Sequence, residues 1–272
     1  MPELCLPDGA LFYDVAGMGE PALVFIHGYS CSTDDWRLQV ADLASDTTCI
    51  SFDLRGHGRS SPATKDLTMA SLASDTISLL DALSIDKAVL VGHSMGTRIA
   101  LEAALQAPER VSGLALVDGS KVEAKPEAVR HQISAAIEAL GFDGWSRKNM
   151  GDMFLEKLSD EDQHRIVERA IALGPKVGLQ LYVAMTDWDQ SRLSLAAERL
   201  QVPVSVIQAT SILPGEARAR CSVSEAPNAP WLLVWREQAN AEIVALERAG
   251  HFAMLEQPAE VNQAIRHLIK QV

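Results

Sequence analysis

Residues 88–107 read AVLVGHSMGTRIALEAALQA. AVLV is the short apolar run of a strand buried on both faces, and MGTRIALEAALQA, closed by Pro108, reads as a helix. Between them, Gly92-His93-Ser94-Met95-Gly96 leaves no room for a loop, so strand must pass directly into helix. A serine on so tight a turn takes a strained backbone conformation, and the flanking glycines let neighbouring chain come close. Its hydroxyl then projects beyond the sheet edge. The Met95 N–H, at the helix N-terminus, points where a negative oxygen would be held.

Outward from this turn the same alternation recurs. ELCL, a Pro-Asp-Gly turn and ALFYDV form a hairpin. ALVFIHG is a strand, Ser32-Thr33-Asp34-Asp35 starts a helix running to Ala44, and TTCISFD leads into the loop LRGHGRSS. A helix over 68–83 places Leu72, Ile77, Leu80 and Leu83 on one side, and VSGLALVDG is the next strand. From 122 to 195 only helical patterns appear. VPVSVIQ, a helix near 227–239, EIVALER and a helix over 258–271 resume the alternation. The expected fold is α/β, a mostly parallel sheet with helices on both faces. Residues 1–121 and 196–272 form the core, and 122–195 form an inserted helical cap.

The chain has 272 residues, 47% hydrophobic and 22% charged, with 24 Lys and Arg against 36 Asp and Glu. A net charge of −12 disfavours nucleic acid and anionic membrane as partners. The start, MPELCLPDGALFYDV, lacks the pattern of a secretory leader, and no run of about 18 apolar residues marks a membrane span. Cys5, Cys31, Cys49 and Cys221 form no CxxC pair and fit free thiols in a reducing cytoplasm. No metal spacing, P-loop or dinucleotide fingerprint is present, so no cofactor or metal is expected.

A serine hydroxyl needs a base to act as a nucleophile at neutral pH. Of seven histidines, His251 is best placed, after the last strand and Gly250 and before the last helix. His27 and His93 sit inside their motifs, where they orient backbone or line a pocket. His57 suits a structural hydrogen bond, and His131, His164 and His267 lie on helical segments. The turn at His27-Gly28 brings the Tyr29 N–H towards the same point as that of Met95.

HGY at 27–29, DLRGHGRS at 53–60, GHSMG at 92–96 and AGHFAMLEQP at 249–258 together resemble the α/β-hydrolase fold superfamily across nearly the whole chain. The resemblance implies Ser94 as nucleophile, His251 as base, and Tyr29 and Met95 as oxyanion donors. It leaves the substrate open, because this fold hosts many chemistries.

The third member of the triad is the anomaly. In the commonest pattern of the family the acid follows the strand matching PVSVIQ, where this chain has Ala209-Thr210-Ser211-Ile212. Asp118, at the end of VSGLALV, stands where some hydrolases of the fold place it and is the first choice. Glu216, in the loop PGEARAR, is the runner-up, with a surface ion pair to Arg218 or Arg220 as its plainer role. Glu225, Asp187 and Asp189 follow.

A serine nucleophile excludes the carboxylate-based halide- and epoxide-opening branches and suits acyl transfer. The expected reaction is hydrolysis of a small to medium apolar carboxylic ester through an acyl-enzyme. Lactone, thioester, amide or carbon–carbon cleavage are alternatives. A non-catalytic binding protein and a perhydrolase or cofactor-free oxygenase are more distant ones. His93 and, from the cap, Trp145, Met150, Met153, Phe154, Tyr182, Met185 and Trp188 are the expected pocket wall, with Ser30 and Cys31 beside it. The sequence leaves the oligomeric state open.

Overall fold

The structure is a computed structural model that describes residues 2–65, 67–154, 158–213, 218–220, 223, 224, 226 and 228–272. In chain order, β1 (Glu3–Leu6) and β2 (Gly9–Ala16) form the hairpin. β3 (Ala22–Ile26) leads through a 3₁₀ turn (Thr33–Trp36) to α1 (Arg37–Leu43) and β4 (Cys49–Phe52). Then come α2 (Met69–Ala82), β5 (Ala88–His93), α3 (Met95–Gln106) and β6 (Val111–Val117). Four helices follow: α4 (Pro126–Gly151), α5 (Asp160–Ala172), α6 (Pro175–Ser191) and α7 (Leu193–Arg199). The chain continues through β7 (Val204–Gln208), the short β8 (Thr210–Ser211) and β9 (Ala219–Arg220), and α8 (Pro230–Arg236). It ends with β10 (Ala241–Ala245), α9 (Ala253–Glu256) and α10 (Pro258–Ile269).

Eight strands form one sheet in the order β1-β2-β4-β3-β5-β6-β7-β10. The pairs β1–β2 and β2–β4 are antiparallel, and every later pair is parallel. Every residue of β3, β4 and β5 is buried, which is why ALVFI and AVLV read as unbroken apolar runs rather than alternating ones. α10 turns Val261, Ala264, Ile265 and Leu268 inward at helical spacing, and its contacts fall on β6, β7 and α1. α3 packs on β5, β6 and α2.

The strand order reverses between β3 and β5. β3 leads outward to β4, and β5 returns on the other side, so the loops after β3 and β5 diverge and leave a crevice between them. That crevice holds His27-Gly28-Tyr29 and Ser94.

The helices between β6 and β7 extend to Arg199, four residues beyond the boundary expected at 195. α4 is two helices joined at Gly141, whose φ of 70° suits a residue without a side chain, and beyond the break Trp145, Ser146 and Met150 are buried. A buried ion pair fixes this insertion to the core. Arg98 of α3 donates from Nε (2.8 Å) and Nη2 (2.7 Å) to Asp189 of α6. Asp189 also accepts from the Val122 N–H at 2.8 Å, and Arg98 donates to the Ser120 carbonyl at 2.7 Å. Asp189 is therefore a structural anchor and not a candidate acid. Asp187 is exposed. Arg98→Met leaves Asp189 buried without its counter-ion, and a loss of about 3–5 kcal/mol in unfolding free energy is expected by urea titration. The double variant Arg98→Met/Asp189→Leu should recover much of it. A loss below about 1 kcal/mol for the single variant would contradict this role for the pair.

Candidate active site

Local sterics explain the serine turn. Ser94 has φ 52° and ψ −111°, outside the regions open to ordinary residues at low cost. A side chain on Gly92 would overlap the Gly96 carbonyl, and one on Gly96 would overlap the Ile26 carbonyl. Two glycines thus let β5, α3 and the end of β3 meet at one point. At Gly28 an added Cβ would lie 2.9 Å from His93 Nδ1 and 3.2 Å from Ser94 Cβ, so the HGY turn sits directly against the serine.

The Ser94 hydroxyl lies 3.0 Å from His251 Nε2, and His251 Nδ1 lies 2.6 Å from Asp118 Oδ2. Ser94 follows β5, Asp118 follows β6, and His251 precedes α9, so all three stand beyond the carboxyl ends of the strands. The backbone N–H groups of Tyr29 and Met95 engage no hydrogen bond among the described residues. Met95 is the first residue of α3, where a helix has no internal acceptor to offer.

Asp118 is fully buried, with a positive φ of 45°. Its Oδ1 accepts from the N–H groups of Ala209 (2.9 Å) and Thr210 (2.6 Å) and from Gln208 Nε2 (3.3 Å). Its Oδ2 accepts from the Thr210 hydroxyl (2.6 Å) and Arg218 Nη1 (3.1 Å) as well as from His251. The stretch where the acid is ordinarily sought has become the donor set for an acid on the neighbouring strand. Burial alone would raise the Asp118 carboxyl, but the His251 hydrogen bond, the Arg218 charge and Thr210 hold it below the usual carboxylate range. Glu216 and Glu225, the other acid candidates, lie outside the described residues, as does Cys221; Cys5, Cys31 and Cys49 are free thiols.

His251 is pushed down to about 4, first by burial and then by the Arg218 charge, with Asp118 opposing both. It is neutral near pH 7, as a base that accepts the serine proton must be. Three more buried histidines are neutral. His27 is lowered to about 4, and His57 and His93 to about 3, in each case first by burial. His27 Nε2 accepts the Leu54 N–H at 2.9 Å, so its proton is on Nδ1, which donates to the Gly28 carbonyl. His93 Nε2 donates to the His251 carbonyl at 2.9 Å, which holds the His251 backbone from behind. His57 Nδ1 donates to the Arg55 carbonyl at 3.2 Å. These two rings hold backbone in place.

All four folded values lie below the ordinary histidine range near 6.5. The unfolded chain therefore binds protons that the folded chain refuses, and stability is present above pH 6.5 and lost as pH falls towards 4. Each histidine contributes up to about 1.4 kcal/mol per pH unit across that window. Asp75 and Asp189, raised by burial, oppose the trend at its acid end. Urea midpoints at pH 8, 6.5 and 5 should be level between the first two and markedly lower at pH 5. A flat series would contradict neutral burial of these rings.

A cavity of about 280 Å³ opens over Ser94. The core supplies Tyr29, Cys31, His93, Arg98, Ser120, His251 and Phe252 to its wall, and the helical insertion supplies Asn149, Met150, Met153, Tyr182 and Met185. Ile212 and Arg218 close it from the loop after β7. His93, Met150, Met153, Tyr182 and Met185 line it, and three expected wall residues, Trp145, Phe154 and Trp188, do not. Trp188 is turned to the core, where its Nε1 donates to Glu102 Oε2 of α3 at 2.8 Å. Trp145 packs edge-on against Tyr182, with ring centres 5.6 Å apart, and lines a second hollow of about 440 Å³ within the insertion. In both cases a large ring was better used to bind helix to helix. Phe154 stacks on Phe252 at 5.7 Å, outside the cavity wall. Ser30 directs its hydroxyl at Met150 Sδ, 3.7 Å away.

Arg218 is the correction of most consequence. It read as one of two surface partners for Glu216, with Arg220 the other, yet its side chain is 9% exposed and its guanidinium reaches Asp118. The pairing of β8 with β9, Thr210 opposite Arg220 and Ser211 opposite Ala219, carries the chain back towards the acid. Arg218 Nη1 donates to the Thr210 hydroxyl (2.7 Å) on the way. The only hint in the sequence was an arginine within ten residues of the expected acid position.

The sequence profile of the alpha/beta hydrolase family matches residues 23–264. The chain belongs to that family. It is 29% identical over 249 residues to Esterase YbfF of Escherichia coli, covering 91% of this chain and 92% of that one. It is also 28% identical over 257 residues to the dihydrolipoyllysine-residue acetyltransferase component of an acetoin cleaving system from Pseudomonas putida. That match covers 93% of this chain but only 64% of the longer relative. An esterase from Thermogutta terrifontis superposes with a TM-score of 0.81 at 22% identity, covering 99% of this chain and 98% of the other, which is a likeness of fold.

Proposed function

We propose that the protein hydrolyses a carboxylic ester of a small to medium, largely apolar substrate through an acyl-enzyme. The observation that carries this reading is the unbroken line from Ser94 Oγ through His251 to Asp118, at 3.0 and 2.6 Å, beneath a mostly apolar cavity. Ser94 attacks the ester carbonyl while His251 Nε2 takes its proton. The oxygen of the tetrahedral intermediate turns to the N–H groups of Tyr29 and Met95, which engage no other acceptor among the described residues. His251 then gives the proton to the departing alcohol, and water repeats the sequence on the acyl-serine. Asp118 stays ionised throughout, holding the imidazole in the tautomer that leaves Nε2 free.

The size of the cavity supports a short acyl chain, since about 280 Å³ is at the lower limit of ordinary ligand pockets. Esterase YbfF, similar over nearly its full length, lends weight to an ester as the bond cleaved. The missing acid at Ile212, which alone favoured a non-catalytic protein, loses its force once Asp118 stands at the imidazole. The test is a series of p-nitrophenyl esters from acetate to dodecanoate. Turnover with a rapid burst of p-nitrophenol is expected on acetate and butyrate, falling steeply by octanoate. Absence of turnover across the whole series would overturn the reading.

A further inference from the structure

Arg98 and Arg218 both reach the wall of the cavity over Ser94. Arg98 is fully occupied by its bidentate pair with Asp189 and two backbone carbonyls. Arg218 is not. Both of its hydrogen bonds leave from Nη1, and among the described residues Nε and Nη2 have no partner. Those two groups form one edge of the guanidinium, the fork that accepts a carboxylate through two parallel bonds.

The charge balance points the same way. Among the described residues Arg218 has one near counter-ion, Asp118, and shares its Oδ2 with His251. When His251 takes the serine proton, the oxyanion formed at the same step balances the imidazolium, and Arg218 still has only a share of the Asp118 carboxylate. Among the described residues of the cavity wall the remaining acid, Asp152, is exposed and already paired with Lys148. A negative group delivered by the substrate to the free edge of Arg218 would pair with a buried cation that otherwise shares its carboxylate with His251.

Resting on the ester-hydrolase reading, we propose that the natural substrates are anionic esters, each with a carboxylate besides the scissile bond, and that Arg218 binds that carboxylate. The apolar wall then contacts the carbon chain between the two groups. Arg218 acts both as a substrate-binding residue and, through Asp118, as a positioning residue for the base.

Two matched pairs test this. Monomethyl glutarate against methyl valerate places the charge in the acyl chain, and O-butyrylglycolate against ethyl butyrate places it in the leaving group. In each pair a carboxylate replaces a methyl. The expected result is a kcat/KM at least about tenfold higher for the anionic member of one pair, the pair showing which side of the ester faces Arg218. In Arg218→Gln that ratio should fall on the order of 100-fold, whatever happens to the rate common to both members. Arg218→Lys, which keeps the charge without the fork, should retain part of it. Equal kcat/KM within both pairs for the wild type overturns the proposal without recourse to any variant, and an unchanged ratio in Arg218→Gln overturns the residue assignment. If neither member of either pair is hydrolysed, the ester reading fails on its own. Calorimetric binding of the same four compounds to Ser94→Ala then still decides the proposal, with tighter binding of an anionic member supporting it and equal binding opposing it.

Discussion

Replacing Asp118 with Asn lowers kcat on p-nitrophenyl butyrate by about 10⁴-fold, with little change in KM. The reason lies in which atoms can donate. Asp118 Oδ1 already receives the N–H groups of Ala209 and Thr210, so the one oxygen of an asparagine is claimed there. Its NH₂ then faces His251 Nδ1 in place of Oδ2, and a donor at that position drives the imidazole proton to Nε2. The ring would then offer Ser94 a proton instead of a lone pair. The same substitution strips Arg218 of its nearby anion, so a lower urea midpoint should accompany the kinetic loss. Steady-state kinetics with the variant shown folded by circular dichroism make the measurement. Near-full activity in Asp118→Asn would move the acid to a residue outside the described ones, Glu216 first among them.

Ser94→Ala has the larger effect, a loss of about 10⁶-fold in kcat, leaving the contribution of cavity and oxyanion donors alone. Stability should change in the opposite sense or not at all. Ser94 occupies a strained conformation and its hydroxyl makes one hydrogen bond, to His251, so its removal breaks nothing structural. Loss of activity with an unchanged or slightly raised urea midpoint separates a nucleophile from a packing residue. Residual activity within tenfold of the wild type would place the nucleophile elsewhere.

The parts of the fold that the sequence disclosed are those set by local rules. GHSMG is legible because each glycine answers a specific overlap, at the Gly96 and Ile26 carbonyls. β3 and β5 are legible because parallel strands buried on both faces must be continuously apolar. His251 is legible because strand, glycine turn and helix in that order put it at the sheet edge. Asp118 could be inferred only by the failure of another position, and the reason its place works was hidden. The amides of Ala209 and Thr210 serve as donors there, and backbone donors leave no mark in a sequence.

What stayed illegible depended on pairings distant along the chain. Arg218 faces inward because β9 folds back on β8, an arrangement of two-residue strands with no periodicity to detect. Trp188 and Trp145 carry the composition of a pocket wall, but an aromatic residue on a helix between β6 and β7 serves equally as mortar between helices. Only the position of Glu102 on α3 decides that Trp188 does the latter. Arg98 and Asp189 stand 91 residues apart, so their pairing too had no local signature.

The most direct test of the central claim is covalent labelling with a fluorophosphonate, followed by mass analysis of the digested protein. The account predicts a single adduct per chain, carried by Ser94, absent in Ser94→Ala and formed far more slowly in His251→Ala and Asp118→Asn. No adduct on the folded wild type, or an adduct on another residue, would contradict a serine nucleophile activated by His251 and Asp118.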